Sequence, residues 1–274
     1  ILLYVGFMGI VAVYIWTMMD RSVSRYYKFM GTFAFVWRLV LTTGTGSIFG
    51  FLVARSAYDA AILAPTFIIF SFSIGLAIFL LLIMALYSGT GRELGDALVK
   101  RLKNLLGVFI AASLYMVLVF HITNLYAAEH HAFEKFILTG DSIHTTIFWI
   151  GFVVLGGLLP LALLYSKLGN SRIMIAIASV LVIVGTTSYL YTTIIGGQAI
   201  PLEIFPGYEV ISSTFGDAEK YYAYTPTIAE ILLGLGGVGI ALIMVILACK
   251  VLRFLPNSLS DAVTDPHYKA TTAK

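Results

Sequence analysis

His121 and Asn124 stand three residues apart near the C-terminal end of an almost unbroken apolar run, Leu105–Ala127. Helical spacing puts them on one face, with Ser113 roughly in line. Hydrocarbon penalises polar groups, so those kept within it usually face the protein interior and mark a site. An imidazole takes or gives a proton near neutral pH. An amide beside it can fix its tautomer or bind a carbonyl. The pair suits a ligand whose carbonyls accept protons as electrons arrive, such as a quinone headgroup. A structural hydrogen bond between helices is the plainer reading of the same two residues.

Other polar side chains gather at the same level. Arg55, Tyr58 and Asp59 follow the second apolar run, and Asp141 and His144 open the fifth. The sixth closes on the stretch 186–193, rich in Thr and Tyr, with Gln198 just beyond. Glu230 falls in the first turn of the last run. Each has a bland account. Tyrosines form belts at membrane interfaces, and acids suit helix N-termini. The functional account rests on several helices contributing at one depth: His121, Asn124, Arg55, Tyr58 and Asp59 as a quinone pocket, with Glu230, Asp141 and His144 in a proton path. Arg38 shares a face with Thr42 and Thr45 and lies about ten residues, roughly 15 Å, inside its helix. It either ties neighbouring helices through carbonyls or extends that path. The spacing shows neither a nucleophile–base pair nor a metal-ligand cluster. Cys249 is the sole cysteine, so no cysteine-ligated iron–sulfur cluster is expected on this chain.

The elements that position these groups follow from composition. The chain is 59% hydrophobic and only 11% charged, against about 25% charged in soluble domains. This is an integral membrane protein, and its small positive charge calls for no nucleic acid. A spanning helix needs about 20 mostly apolar residues. Seven runs qualify: Ile1–Met19, Phe29–Val53, Ala64–Tyr87, Leu105–Ala127, His144–Tyr165, Ile173–Ile195 and Thr227–Leu252. The fold expected is all-α, a polytopic transmembrane helical bundle over residues 1–256, with a cytoplasmic tail at 257–274. Thirteen of the seventeen Lys and Arg fall in alternate loops and the C-terminal stretch. Positive loops stay cytoplasmic, so the C-terminus is expected inside and Ile1 outside. The outer loops are acidic, with Glu129, Glu134, Asp141, Glu203, Glu209, Asp217 and Glu219. Gly46 and Gly50 form a GxxxG pair suited to close helix contact. The stretch 234–239 matches GxGxxG, but inside an apolar helix it signals close packing rather than a dinucleotide site. Because Ile1 already lies in an apolar run, further helices are expected to precede it.

Three stretches together resemble the NrfD/polysulfide reductase membrane-subunit family, in its longer DsrP/HybB-like branch. The first runs from Gly46-Ser47-Ile48-Phe49-Gly50 through Arg55-Ser56-Ala57-Tyr58 to Ala64-Pro65-Thr66-Phe67. The second is Gly197-Gln198-Ala199-Ile200-Pro201, and the third is Tyr224-Thr225-Pro226-Thr227-Ile228-Ala229-Glu230. Members typically have about eight to ten helices. Relatives often carry a histidine where this chain has Leu41, Thr42, Thr43 and Gly44. The resemblance implies a quinone-reactive subunit, using menaquinone or ubiquinone, with no haem or iron–sulfur cluster of its own. It implies an iron–sulfur partner subunit at the outer face, docked on the acidic loops, and further redox subunits. The setting implied is anaerobic respiration or sulfur metabolism in a prokaryotic cytoplasmic membrane. The chain would be part of an oxidoreductase, not a complete enzyme. A proton- or ion-conducting transporter subunit and a haem b membrane anchor are the rival readings.

Overall fold

A computed structural model of the chain describes residues 1–200, 224–252 and 255–265. Its architecture is helical, with one isolated bridge between Leu94 and Leu259. The long helices are α1 (Leu2–Met19), α2 (Tyr27–Gly50), α3 (Leu63–Thr90), α4 (Asp96–Tyr126), α5 (Ile143–Tyr165), α6 (Arg172–Ala199) and α7 (Ile228–Val251). Six of these are long and apolar enough to cross a membrane. The seventh expected span, α2, has the length. Lys28, Arg38 and the Thr- and Gly-rich stretch 42–47 make it the polar exception.

α3 is the hub, packed on α2, α4 and α6. α5 packs on α4 and α6, and α1 leans on α2. Two apolar cores fill the bundle. One surrounds Phe70, Phe120, Phe148, Phe152 and Tyr189, and the other Leu80, Leu106, Ile110 and Leu164. Small residues set the closest approaches, as expected where lipid gives helices no hydrophobic drive to associate. A Cβ on Gly46 would come within 2.7 Å of Ala64 Cα, and one on Gly50 within 2.9 Å of the Ala60 carbonyl. The GxxxG pair thus does the packing expected of it. α5 and α6 meet backbone to backbone at Gly156 and Gly185.

Three local features differ from the sequence reading or go beyond it. Residues 128–139, expected as an outer loop, are helical: a 3-10 turn, one α-turn at His131–Glu134 and a π-turn at Lys135–Thr139. The cause is the spacing of Phe133, Phe136 and Ile137, which folds an apolar face onto the bundle. Second, the GxGxxG stretch does not pack closely. Nothing described lies within 4 Å of a Cβ at Gly234, Gly236, Gly237 or Gly239, and α7 has no buried residue. Third, the chain after α7 packs back on the bundle, which the sequence reading did not address. Residues 255–265 cross the α3–α4 turn, where Arg92 donates to the Leu255 and Pro256 carbonyls at 2.9 and 3.1 Å. Gly95 N–H donates to the Leu259 carbonyl at 2.7 Å. Asp261 Oδ1 accepts the Ala97 N–H at 2.9 Å, capping α4 from a distant part of the chain. Asp261→Ala is expected to cost about 1 kcal/mol and to speed limited proteolysis within residues 255–265.

Candidate functional site

The carboxylate that organises the site is Glu134, not one of the residues the sequence singled out. The one-turn helix His131–Glu134 delivers it beneath α4, where its side chain is wholly buried. Glu134 Oε2 lies 2.7 Å from His121 Nδ1, and Oε1 accepts from Asn124 Nδ2 at 2.9 Å. His121 and Asn124 are themselves buried, at 6% and 1% exposure. Burying a carboxylate costs several kcal/mol unless its oxygens are matched, and these two donors match one oxygen each. With the carboxylate ionised, Nδ1 carries the proton, which leaves Nε2 as the nitrogen where a further proton can arrive. No described partner meets that Nε2.

Aromatic side chains close around this triad. The Phe120 and Phe148 rings stand edge-on to His121 at 5.1 and 4.9 Å. Tyr189 of α6 packs against Phe152 at 4.8 Å and Phe70 at 5.1 Å. Its hydroxyl is buried beside the Thr193 side chain, with no hydrogen bond of good geometry among the described residues. His144, at the start of α5, stacks on Tyr191 at 5.8 Å and lies against Phe136, and its Nδ1 is likewise unpartnered. The core thus holds three buried polar atoms without a well-formed hydrogen bond among the described residues. Three π-helical stretches bound the region, Lys135–Thr139 just after Glu134, Ile147–Leu158 in α5 and Thr192–Gly196 in α6. Such wide turns are rare and often border functional sites.

Arg55 and Tyr58 tie the loop to the end of α6 with their donors. Arg55 Nη1 reaches the carbonyls of Gly197, Gln198 and Ile200 at 3.3–3.5 Å, a cation closing the end of α6. Tyr58 donates to the Ile194 carbonyl at 2.8 Å. Burial raises the Tyr58 phenol above its ordinary value, with the Arg55 charge and a bond to Gln198 pulling the other way. Asp59 takes a left-handed backbone, φ 45°, where the chain turns toward α3. A Cβ on Gly197 would fall within 2.9 Å of Ala57 Cβ and the Tyr58 ring, so two of the motif stretches meet here. His130 fastens the same loop from the other side, its Nδ1 2.6 Å from the Ser56 carbonyl.

The remaining candidates lie elsewhere. Asp141 is exposed. Glu230 forms a capping box with Thr227, accepting from its backbone N–H at 2.6 Å. Arg38 sits over the Phe7 ring at 5.6 Å. With Tyr4, Thr42, Thr45, Ser71 and Phe70 it lines a cleft of about 340 Å³. Phe70 is the shared wall, since its other neighbour is Tyr189. Of the acidic residues expected on the outer surface, Glu134 is corrected to a core position. Glu203, Glu209, Asp217 and Glu219 lie outside the described residues. One signal in the sequence could have found Glu134. It is the acid enclosed by Phe133, Phe136 and Ile137 at helical spacing, whereas Glu129 is flanked by Ala128 and His130.

Residues 1–202 match the family described as polysulphide reductase, NrfD. The chain is 26% identical over 271 residues to the Hdr-like menaquinol oxidoreductase integral membrane subunit of Archaeoglobus fulgidus, covering 96% of this chain and 66% of that protein. It is 28% identical over 203 residues to a selenate reductase subunit of Mesobacillus selenatarsenatis, covering 73% and 45% respectively. It is 30% identical over 247 residues to a putative dimethyl sulfoxide reductase membrane subunit of Halobacterium salinarum, covering 84% and 53%. The chain thus spans about half to two thirds of the length of these relatives. No solved structure matches.

Proposed function

Because the chain belongs to the NrfD polysulphide reductase family, a family of multi-pass membrane proteins, we propose that it is the quinone-reactive membrane subunit of a respiratory oxidoreductase. The observation that carries this reading is the buried Glu134, held by His121 and Asn124 beside three unpartnered polar atoms. Those atoms are His121 Nε2, His144 Nδ1 and Tyr189 Oη: a hydroxyl that can donate to a quinone carbonyl, and ring nitrogens that accept from a quinol hydroxyl or, once protonated, donate to the carbonyl. When bound, a quinone supplies two-electron, two-proton chemistry. This chain's part is to hold protons and keep water out. Glu134 fixes His121 with Nδ1 toward the carboxylate, so that protons enter and leave at Nε2. Asn124 holds the second carboxylate oxygen and keeps the acid from turning. The cleft beside Phe70 gives a lipid-side berth, with Tyr189 behind its wall. Arg55 and Tyr58 keep the end of α6 in place, and Asp59 turns the loop toward α3.

The names of the relatives support the wider assignment. One is a menaquinol oxidoreductase subunit and two are reductase subunits, which favours menaquinone here and further redox subunits as partners. The iron–sulfur partner belongs on the outer face, where Glu129 and Asp141 are exposed. The bias of Lys and Arg toward alternate loops supports a cytoplasmic C-terminus, and the protein is read as one of a prokaryotic inner membrane.

The test is His121→Ala in the purified complex. Quinone-dependent turnover is expected to fall about a hundredfold, and a quinol analogue should bind more weakly. Unchanged binding and turnover would remove His121 from the site. A Soret band in the purified protein would reassign His121 and His144 as haem ligands.

A further inference from the structure

The opposite end of the bundle holds a second site, unconnected with the quinone reading. A cavity of about 200 Å³ opens where the start of α4 meets the α5–α6 turn. It is lined by Asp96, Lys100, Lys103, Gly169, Asn170 and Arg172, with Val99 and Ile175. On α4 the positions 96, 99, 100 and 103 follow i, i+3, i+4, i+7, so one face supplies them all. Asp96 is taken by Arg172, whose Nη2 lies 2.6 Å from its Oδ1. Lys103 is buried, at 7% exposure, and its Nζ has the Gly169 carbonyl at 3.3 Å as its acceptor. Neither Lys100 nor Lys103 has a carboxylate within ion-pair distance among the described residues. The cavity therefore carries two cations in excess, one of them buried. A buried ammonium without a counter-charge is costly, and the chain bears that cost beside an open cavity.

The depth of this cavity identifies what fills it. Lys103 lies two residues before Leu105, where the apolar run of α4 begins. At the helical rise that is about 3 Å from the hydrocarbon edge, the level of lipid phosphates. The neighbouring helix positions are apolar and open to the lipid, with Leu105 44% and Ile173 68% exposed. Basic pockets between transmembrane helices at this level bind anionic lipid headgroups. We propose that Lys100 and Lys103, beside the Arg172–Asp96 pair, form a specific site for the phosphate of an anionic phospholipid, whose acyl chains run along Leu105 and Ile173.

The experiment compares the full protein in nanodiscs of phosphatidylcholine alone and of phosphatidylcholine with phosphatidylglycerol. Native mass spectrometry should show retained phosphatidylglycerol, and the thermal midpoint should rise with that lipid only. Lys103→Met should cut retention about fivefold, the weight of one cation near an anionic surface. It should also abolish the lipid-dependent rise while leaving the midpoint in phosphatidylcholine unchanged. If Lys103→Met fails to fold, the exposed Lys100→Gln is the second variant, with the same expected loss of retention. Inorganic phosphate added to the phosphatidylcholine sample should leave the midpoint unmoved. A rise with phosphate alone would identify a free-anion site and overturn the lipid assignment. Equal retention of both lipids, or retention unaffected by either substitution, would also overturn it.

Discussion

Glu134→Gln lowers quinone-dependent turnover about a hundredfold or more in a complex that still assembles. The substitution keeps the size of the side chain and leaves an oxygen for the Asn124 amide. It reverses the bond to His121. A glutamine nitrogen at the Oε2 position donates to Nδ1, where the carboxylate accepts from it at 2.7 Å. The imidazole is then locked with its proton on Nε2, the nitrogen that must be free to exchange. Glu134→Ala differs, because it strips partners from two buried donors at about 1–3 kcal/mol each and should lower the thermal midpoint as well. Tyr189→Phe removes the buried hydroxyl near the acid without changing the packing of its ring. Measured side by side in assembled complex, Glu134→Gln should lose turnover with little change in midpoint. Turnover near that of the unaltered protein would show that the Glu134–His121 pair is a structural tie between α4 and the segment that follows it.

The largest effect on folding is expected at the crossing of α5 and α6. Gly156 and Gly185 bring the two backbones into contact, and a Cβ on Gly156 would lie 2.6 Å from Gly185 Cα. No side-chain rotation relieves an overlap with backbone, so the helices must separate. Gly185→Val should destabilise the protein by about 3 kcal/mol or more, because separation also loosens Phe148, Phe152 and Tyr189, which meet across the same crossing. The readout is the amount of monodisperse protein recovered from membranes. Gly9→Ala is the control, since nothing lies within 4 Å of its Cβ. Normal recovery of Gly185→Val would mean that the crossing is not held at this separation in the membrane.

Much of the site was legible in the chain. His121 and Asn124 stood out because polar groups are expensive inside an apolar run, and both are in the buried cluster. His144 was named where it opens the fifth run, and it too is buried. Arg55 and Tyr58 were named for the pocket, and in the fold their donors meet carbonyls at the end of α6, which no local pattern shows. Tyr189 was hidden inside a run of Thr and Tyr that reads as an interfacial belt. Glu134 was hidden more deeply, because an acid between two spans looks like surface. Only the fold of residues 128–139, driven by Phe133, Phe136 and Ile137, carries it inward.

The sequence by itself determined the membrane setting, the number of long helices and the cost of His121 and Asn124. Composition, run length and hydropathy act locally, and each can be read without knowing what packs where. Partnership was decided by tertiary structure alone. The same acid is a docking charge if its segment lies on the surface and the anchor of a proton-handling cluster if that segment folds under α4. The glycines that bring α2 against α3 have a counterpart in the GxGxxG stretch of α7, where an added Cβ would touch nothing described. Burial turns a carboxylate from an inexpensive surface charge into one that must find two donors. His121 and Asn124 were placed three residues apart to be those donors, and the fold supplies the acid they bind.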